Sequence, residues 1–177
     1  MQYTSRYVSP LGGILLAADE DGLTGLWFDG QKYFANGLDG EAEERAMPVF
    51  ELARKWLDIY FSGREPDIEV PLHLTGTPFQ NEVWELLCAI PYGKTVTYGE
   101  LAKRLAEKKG LPRMSAQAIG GAVGRNPVSI IVPCHRVVGA NGSLTGYAGG
   151  VDKKLRLLEL EKADTRAFYV PKYGTAL

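Results

Sequence analysis

The sequence is poor in the residues that build metal centres and covalent cross-links. Its 177 residues include two cysteines, Cys88 and Cys134, and two histidines, His73 and His135. Two cysteines do not make a disulfide framework. Four such residues at these spacings form no zinc-type cluster, so neither a catalytic metal nor a cofactor is expected. Long apolar runs are missing too. None approaches the ~20 residues of a membrane span, and the opening MQYTSRYVSP lacks the apolar core of a secretory signal. These absences predict an intracellular, cytoplasmic protein without a membrane partner. At 45% hydrophobic and 23% charged residues, the composition is neither disordered nor fibrous. The length suits one large domain or two small ones.

A dominant charge sign is also lacking: the net charge is -1, which alone argues against a nucleic-acid partner. The average conceals an asymmetry. Residues 1–75 carry six Lys/Arg and thirteen Asp/Glu, whereas residues 76–177 carry fourteen and eight. Within 93–136 the balance is eight to two, from Lys94, Lys103, Arg104, Lys108, Lys109, Arg113, Arg125 and Arg136. A basic half is compatible with phosphate contacts and equally with an ordinary solvated face.

Three short β-like runs, Gln2–Val8, Gly13–Ala18 and Leu23–Phe28, are separated by the turn clusters Ser9–Gly12 and Asp19–Gly22. They predict an antiparallel meander. Polar Asn36–Arg45 follows, then a helix near Pro48–Phe61 carrying Phe50, Leu52, Ala53, Trp56, Leu57 and Tyr60. The charged, proline-bearing Ser62–Pro71 reads as a connector, placing an N-terminal domain at 1–75. Thr77-Pro78-Phe79-Gln80 offers a cap, a proline at the first helical position and a glutamine at the third. Thr97-Tyr98-Gly99-Glu100 repeats the logic, and Ser115 caps a third helix, Ala116–Val123. Two short helices about a basic loop suggest a helix-turn-helix, although paired helices often simply pack. The second of them is unusually slim, with Ala116, Ala118, Gly120, Gly121 and Ala122. Mid-helix glycines cost about 1 kcal/mol each relative to alanine. They are explained equally by close intramolecular packing and by entry into a minor groove only ~6 Å wide.

Chemistry concentrates at Asn126-Pro127-Val128-Ser129-Ile130-Ile131-Val132-Pro133-Cys134-His135-Arg136-Val137-Val138. An apolar, β-like run ends at a proline and delivers a cysteine beside a histidine. Cys88, in the apolar run WELLCAIPYG, reads instead as a packed small hydrophobe. A thiolate is the reactive form, so Cys134 needs a proton acceptor, and His135 can serve if a third group orients its ring. Over Val151–Lys162 a helical wheel puts Val151, Leu155 and Leu158 on one face. Glu161 falls roughly 60° from Leu158, inside the apolar arc, while Asp152, Lys153, Arg156 and Glu159 point away. An inward carboxylate needs a partner, and His135 is a natural one. The other reading of Glu161 is a frayed helix end reaching solvent.

Val132-Pro133-Cys134-His135-Arg136-Val137 resembles the active-site motif of the O6-alkylguanine-DNA alkyltransferases. The likeness extends over Gly76-Thr77-Pro78-Phe79-Gln80, Val83-Trp84, Ile90-Pro91-Tyr92-Gly93, Thr97-Tyr98, Gly120-Gly121-Ala122, Asn126-Pro127, Gly146-Tyr147-Ala148-Gly149-Gly150, Lys153, Leu157-Leu158 and Glu161, spanning about 76–162. The resemblance implies an α+β protein. A small N-terminal antiparallel sheet with a helix, ribonuclease H-like, precedes a mostly helical, winged-helix-like alkyltransferase domain at 76–165 and a tail at 166–177. It implies irreversible, single-turnover transfer of an alkyl group from O6-alkylguanine, and O4-alkylthymine, in duplex DNA to Cys134 of a monomer. His135, Glu161 and a water would activate the sulfur, Asn126 would shape the site, and the Tyr98 hydroxyl would serve guanine N3. Base flipping would be read by Cys134, Val137 and Ala148 backbone groups with Tyr147 as a pocket wall. Thr97, Ser115, Ala116, Gln117, Gly120, Gly121, Arg125 and Arg136 would meet DNA. Two positions depart from the family pattern: Gln117 stands where an arginine wedge is common, and Ala148 where serine is. A damage-binding relative without transfer, a helix-turn-helix regulator and a cysteine hydrolase are the alternatives. The acceptor thiol, the joint presence of Tyr98, His135 and Glu161, and the want of an oxyanion hole weigh against them in turn.

Overall fold

The computed structural model describes residues 1–171. The fold is α+β, and the chain divides into two compact units. The first comprises Met1–Thr75 together with Pro127–Ser129; the second comprises Gly76–Asn126 and the chain from Ile130 onward.

In the first unit β1 (Tyr3–Ser9), β2 (Gly12–Ala18) and β3 (Leu23–Phe28) form the expected meander, with Tyr3 opposite Ala18 and Ile14 opposite Phe28. Alternation sets the register: Ile14, Leu16 and Ala18 are fully buried, and a one-residue slip would turn them outward. The sheet is not wholly antiparallel. A two-residue strand, β4 (Glu43–Glu44), lies parallel to β1 inside the polar stretch 36–45, giving the order β3-β2-β1-β4. Two exposed glutamates carry no apolar alternation, so nothing in their side chains marks a strand; the pairing is made by backbone alone. The outer edge of β3 is occupied piecewise. Leu23 exchanges hydrogen bonds with Pro71 and His73 (both 2.8 Å), and Leu26 with Pro127 (2.9 Å) and Ser129 (3.0 Å). Helix α1 (Pro48–Phe61) buries Val49, Phe50, Ala53, Leu57 and Tyr60. Leu52 and Trp56 are only half-buried. The Tyr7 hydroxyl donates to Asp58 at 2.6 Å, joining β1 to α1.

The second unit opens with α2 (Pro78–Cys88), capped by the reciprocal Thr77–Gln80 bonds that its sequence predicts. Two-residue β5 (Val96–Thr97) leads into α3 (Tyr98–Lys109), closed by a second box between Thr97 and Glu100. A left-handed Gly110 ends α3, and Ser115 caps α4 (Ala116–Gly124). The α3–turn–α4 pair has helix-turn-helix connectivity. Its inner faces are Leu101, Ala102, Leu105 and Ala106 on one helix and Ile119, Gly120, Ala122 and Val123 on the other. Trp84 of α2 donates its indole N–H to the Ala122 carbonyl at 2.8 Å. Cys134–Arg136 form one 3-10 turn, followed by β6 (Val137–Val138), parallel to β5, and by α5 (Val151–Leu160).

Two further expectations are corrected. Residues 128–132 are not a strand: only Val128 makes a bridge, and the chain then turns with Ile130 at φ 70°. Val128, Ile130 and Val132 are all buried, so the apolar run reflects burial of a turn on every side rather than sheet pairing. The positive φ of a β-branched residue is a strained backbone state, of a kind that gathers at functional sites. Cys88 is exposed, not packed. The buried stripe of α2 is Val83, Trp84 and Leu87, and Cys88 lies past its edge at the last helical residue. In the tail, Phe168 packs on Val138, Leu144 and Leu158, and Tyr169 exchanges backbone bonds with Gly142 (3.1 Å) and Leu144 (2.9 Å). Tyr173 lies outside the described residues.

Candidate active site

Cys134 opens the 3-10 turn, which places His135 and Arg136 directly after it on backbone fixed by a bond from the Arg136 N–H to the Pro133 carbonyl (3.0 Å). Asn126 holds the preceding loop: its buried Nδ2 donates to the Val132 carbonyl at 2.8 Å, satisfying an acceptor that the turn leaves without a strand partner.

Glu161 is the C-cap of α5, one residue past its end, and it points inward. The side chains of His135 and Glu161 have no exposed surface, and His135 Nε2 lies 2.5 Å from Glu161 Oε2. The second carboxylate oxygen accepts from Arg136 Nε at 2.8 Å and from the Gly93 N–H at 3.0 Å. Burial by itself would raise the Glu161 pKa, but the bonds from His135 and Arg136 outweigh it and hold the group at about 2. Burial pulls the His135 pKa down, opposed in part by Glu161 and assisted by Arg136 and Lys154. The resting pair is therefore a carboxylate facing a neutral imidazole. Gly93 has φ 74°, and a Cβ there would come within 3.1 Å of the Glu161 carbonyl oxygen, so glycine is required at the turn that feeds this bond.

Cys134 is 7% exposed. Burial raises its thiol pKa, opposed by a hydrogen bond from Asn126 and by the charge of Lys154. The sulfur is not a ready-made thiolate and depends on its neighbours to lose its proton. The wheel reading missed Lys154. It is fully buried, donates its ammonium to the Thr145 carbonyl at 2.7 Å and lies 5.9 Å from the centre of the Tyr98 ring. Burial lowers its pKa to about 8. Its position on the wheel, between Leu158 and Glu161 and about 40° from Leu158, was the available signal. Tyr98 donates its hydroxyl to the same Thr145 carbonyl at 3.1 Å, and burial, with the negative charge of a Cys134 thiolate, pushes its pKa well up, keeping it a donor. Tyr147 is buried with its ring edge-on to His135 at 6.5 Å, Val137 is buried, and Ala148 is half-buried.

The residues assigned to DNA separate into two groups. Ser115, Ala116, Gln117, Gly121 and Arg125 are exposed along or beside α4, with Thr97 half-buried at the α3 cap. Ser115 and Thr97 use their hydroxyls to cap helices. Gly120 is instead buried on the inner face of α4. Arg136 is buried too, bonded to Glu161 and to the Ile90 carbonyl (2.7 Å), so it does not present its charge to solvent. Adjacency to the cysteine drew it into the basic segment; the acceptors around it decide otherwise. Elsewhere, Asp19, Asp21 and His73 gather in the N-terminal unit, where His73 Nδ1 lies 2.6 Å from Asp19.

Comparison with known proteins gives this geometry a context. The family model for the 6-O-methylguanine DNA methyltransferase ribonuclease-like domain matches residues 2–74, and that for the DNA-binding domain matches 78–163. A methylated-DNA–protein-cysteine methyltransferase of Methanosarcina acetivorans is 46% identical over 159 residues, 90% of this chain and 97% of that one. Its Haemophilus influenzae counterpart is 41% identical over 161 residues, 90% and 86% of the two chains. The crystal structure of the Mycobacterium tuberculosis O6-methylguanine methyltransferase is similar at TM-score 0.77 and 43% identity, covering 92% of this chain and 93% of that one. The Mycobacterium tuberculosis OGT in complex with DNA is similar at TM-score 0.78 and 42% identity, covering 92% and 96%. The chain belongs to the 6-O-methylguanine DNA methyltransferase family.

Proposed function

We propose that this protein repairs alkylated duplex DNA by direct reversal, moving the alkyl group of O6-alkylguanine, and of O4-alkylthymine, onto Cys134. The observation that carries the reading is the pairing of buried His135 with Glu161 at 2.5 Å on the turn that presents Cys134. Glu161 fixes the imidazole through Nε2, so the thiol proton passes to Nδ1, directly or through a water. The sulfur then attacks the alkyl carbon in line, the S–C bond forms, the C–O6 bond breaks, and its electron pair returns to the purine. Tyr98 turns its hydroxyl from Thr145 to guanine N3, so that the departing base leaves with its charge offset. The imidazolium then releases its proton through solvent and the departing base takes one up, so that across the reaction one proton moves from the sulfur to the purine.

The product is a thioether, which has no activated carbonyl for water to attack. Each molecule of protein therefore acts once. The exposed face of α4 supports entry into the minor groove with the damaged nucleotide rotated out of the stack. A Cβ built on Gly121 would meet no atom within 4 Å among the described residues, so packing inside the protein does not explain that glycine. Gln117 on the same face serves as the wedge, without the charge an arginine would bring. A monomer acting in the cytoplasm suffices for this chemistry, and no helix among the described residues is long and apolar enough to cross a membrane.

The test is intact-mass measurement after incubation with a duplex oligonucleotide bearing O6-methylguanine. One added methyl, mapped to the peptide containing Cys134 and lost in Cys134→Ala, is the expected result. Binding without any mass gain would overturn transfer in favour of damage recognition alone.

A further inference from the structure

Arg136 follows Cys134 and His135 on the same 3-10 turn, yet its side chain is 9% exposed. Its guanidinium is spent inside the unit. Nε donates to Glu161 Oε1 at 2.8 Å, Nη1 donates to the Ile90 carbonyl at 2.7 Å, and the group lies 5.7 Å from the centre of the Tyr92 ring. Gly93, in the same Ile90–Gly93 turn, donates its N–H to the same carboxylate oxygen at 3.0 Å. Consecutive residues thus grip opposite oxygens of one carboxylate, His135 on Oε2 and Arg136 on Oε1.

The charge balance follows from this geometry. A buried carboxylate facing an imidazole alone would favour the imidazolium, because opposite charges attract strongly out of water. A proton already held on the ring leaves the thiol nowhere to send its own. A guanidinium on the other oxygen cancels the carboxylate's field at the ring. Resting on the transfer chemistry proposed above, we infer that Arg136 is a positioning residue. It locks Glu161 against the Ile90–Gly93 turn and keeps His135 a neutral base at the moment Cys134 must be deprotonated. Lysine is a poor substitute in geometry but not in charge: one ammonium does not span both acceptors as the fork does.

The groups facing this cluster are Glu161 and Lys154 from α5 and its cap, Cys134 and His135 from the turn, Tyr92 from the Ile90–Gly93 turn, Tyr98 from α3, and Cys88 with Glu85 from α2. Removing a positive charge from among them makes every neighbouring acid harder to deprotonate. The acid limb of Cys134 reactivity must therefore move to higher pH.

The test uses the full chain carrying Cys88→Ser, so that one thiol reports. Transfer from an O6-methylguanine duplex and alkylation by iodoacetamide are both followed by mass spectrometry from pH 5.5 to pH 9 (roughly the span in which His and Cys titrate). In Arg136→Met both acid limbs should rise by about one pH unit, a roughly tenfold loss at the acid end that shrinks toward alkaline pH. In Arg136→Lys the limbs should stay near those of the parent while the plateau falls. A Met variant slowed equally at every pH, or a Lys variant shifted as far as the Met variant, overturns the inference. Should Arg136→Met not fold, 15N NMR of the unsubstituted chain decides, since only His73 and His135 contribute imidazole signals. A neutral His135 ring at pH 7 with its proton on Nε2 is expected, and an imidazolium there overturns the inference. Wild-type protein that reacts with iodoacetamide but takes no methyl from DNA would count against the transfer reading and leave the Arg136 test standing.

Discussion

A carboxylate without exposed surface couples the fold of this protein to pH. Glu161 is held at about 2, against an ordinary value of 4.5. The unfolded chain therefore binds a proton that the folded chain refuses between those values. The stability from this group is complete above pH 4.5 and is lost as pH falls through about 2, roughly 3 kcal/mol in all. Urea unfolding of Glu161→Gln should show a flatter dependence than the parent over that window, and its methyl transfer should be slowed at least tenfold. Equal slopes would contradict the assignment. Lys154 contributes a cost where Glu161 contributes a gain, although stability rises with pH in both windows. Burial lowers it to about 8 from 10.5, so its cost to folding is present in full below pH 8 and is relieved as pH rises toward 10.5. Relative to Lys154→Met, the parent should gain stability across that interval, by roughly 3 kcal/mol. The Met variant should also alkylate Cys134 more slowly at pH 7, having lost the cation that favours the thiolate. An unchanged rate would remove Lys154 from the chemistry. The cysteine, the histidine and the inward carboxylate are legible from residue types and one helical wheel. Lys154 shares the arc of the wheel that holds Glu161, but its acceptor, the Thr145 carbonyl, is not written there; Arg136 is not legible at all, because a buried cation looks like any surface arginine until acceptors such as the Ile90 carbonyl are known.

Helix ends are where sequence and backbone speak most directly. Thr77, Thr97 and Ser115 each accept the N–H three residues on, an interaction whose partners all lie within one turn. α2, α3 and α4 therefore begin where their caps predict. The 128–132 run misleads for the converse reason. Continuous apolar character marks burial, and a buried turn and a buried strand share it. On α4, Gly121 gives a test with two opposed signs. Its added Cβ meets nothing in the protein, so Gly121→Ala should stabilise the helix by about 0.5–1 kcal/mol while weakening binding to alkylated duplex. Tighter or unchanged binding alongside the higher Tm would argue against close approach of this face to DNA.

Charge at the scale of the whole molecule explains how a chain of net charge -1 can serve a polyanion. Seven of the eight basic residues of 93–136 are exposed and one, Arg136, is buried. Lys108 and Lys109 stand 3.8 and 2.9 Å from Glu85 and Glu82, pairs of the surface kind that release a cation cheaply. Affinity for duplex DNA should accordingly fall steeply with salt, each phosphate contact adding about 0.9 to the log–log slope. A flat salt dependence would place recognition elsewhere. The N-terminal unit was legible as meander and helix, whereas β4 and the pieces along β3 were not, since short backbone pairings leave no mark on side-chain pattern.

That piecewise edge bears on how the protein is made. Leu26 finds its partners in Pro127 and Ser129, residues translated long after the strand they complete. A nascent chain halted at Thr75 holds a sheet with one flank unfinished, and that flank waits until the ribosome has passed Ser129. By then α2, α3 and α4 have already been synthesised, and Cys134 is the next landmark to emerge.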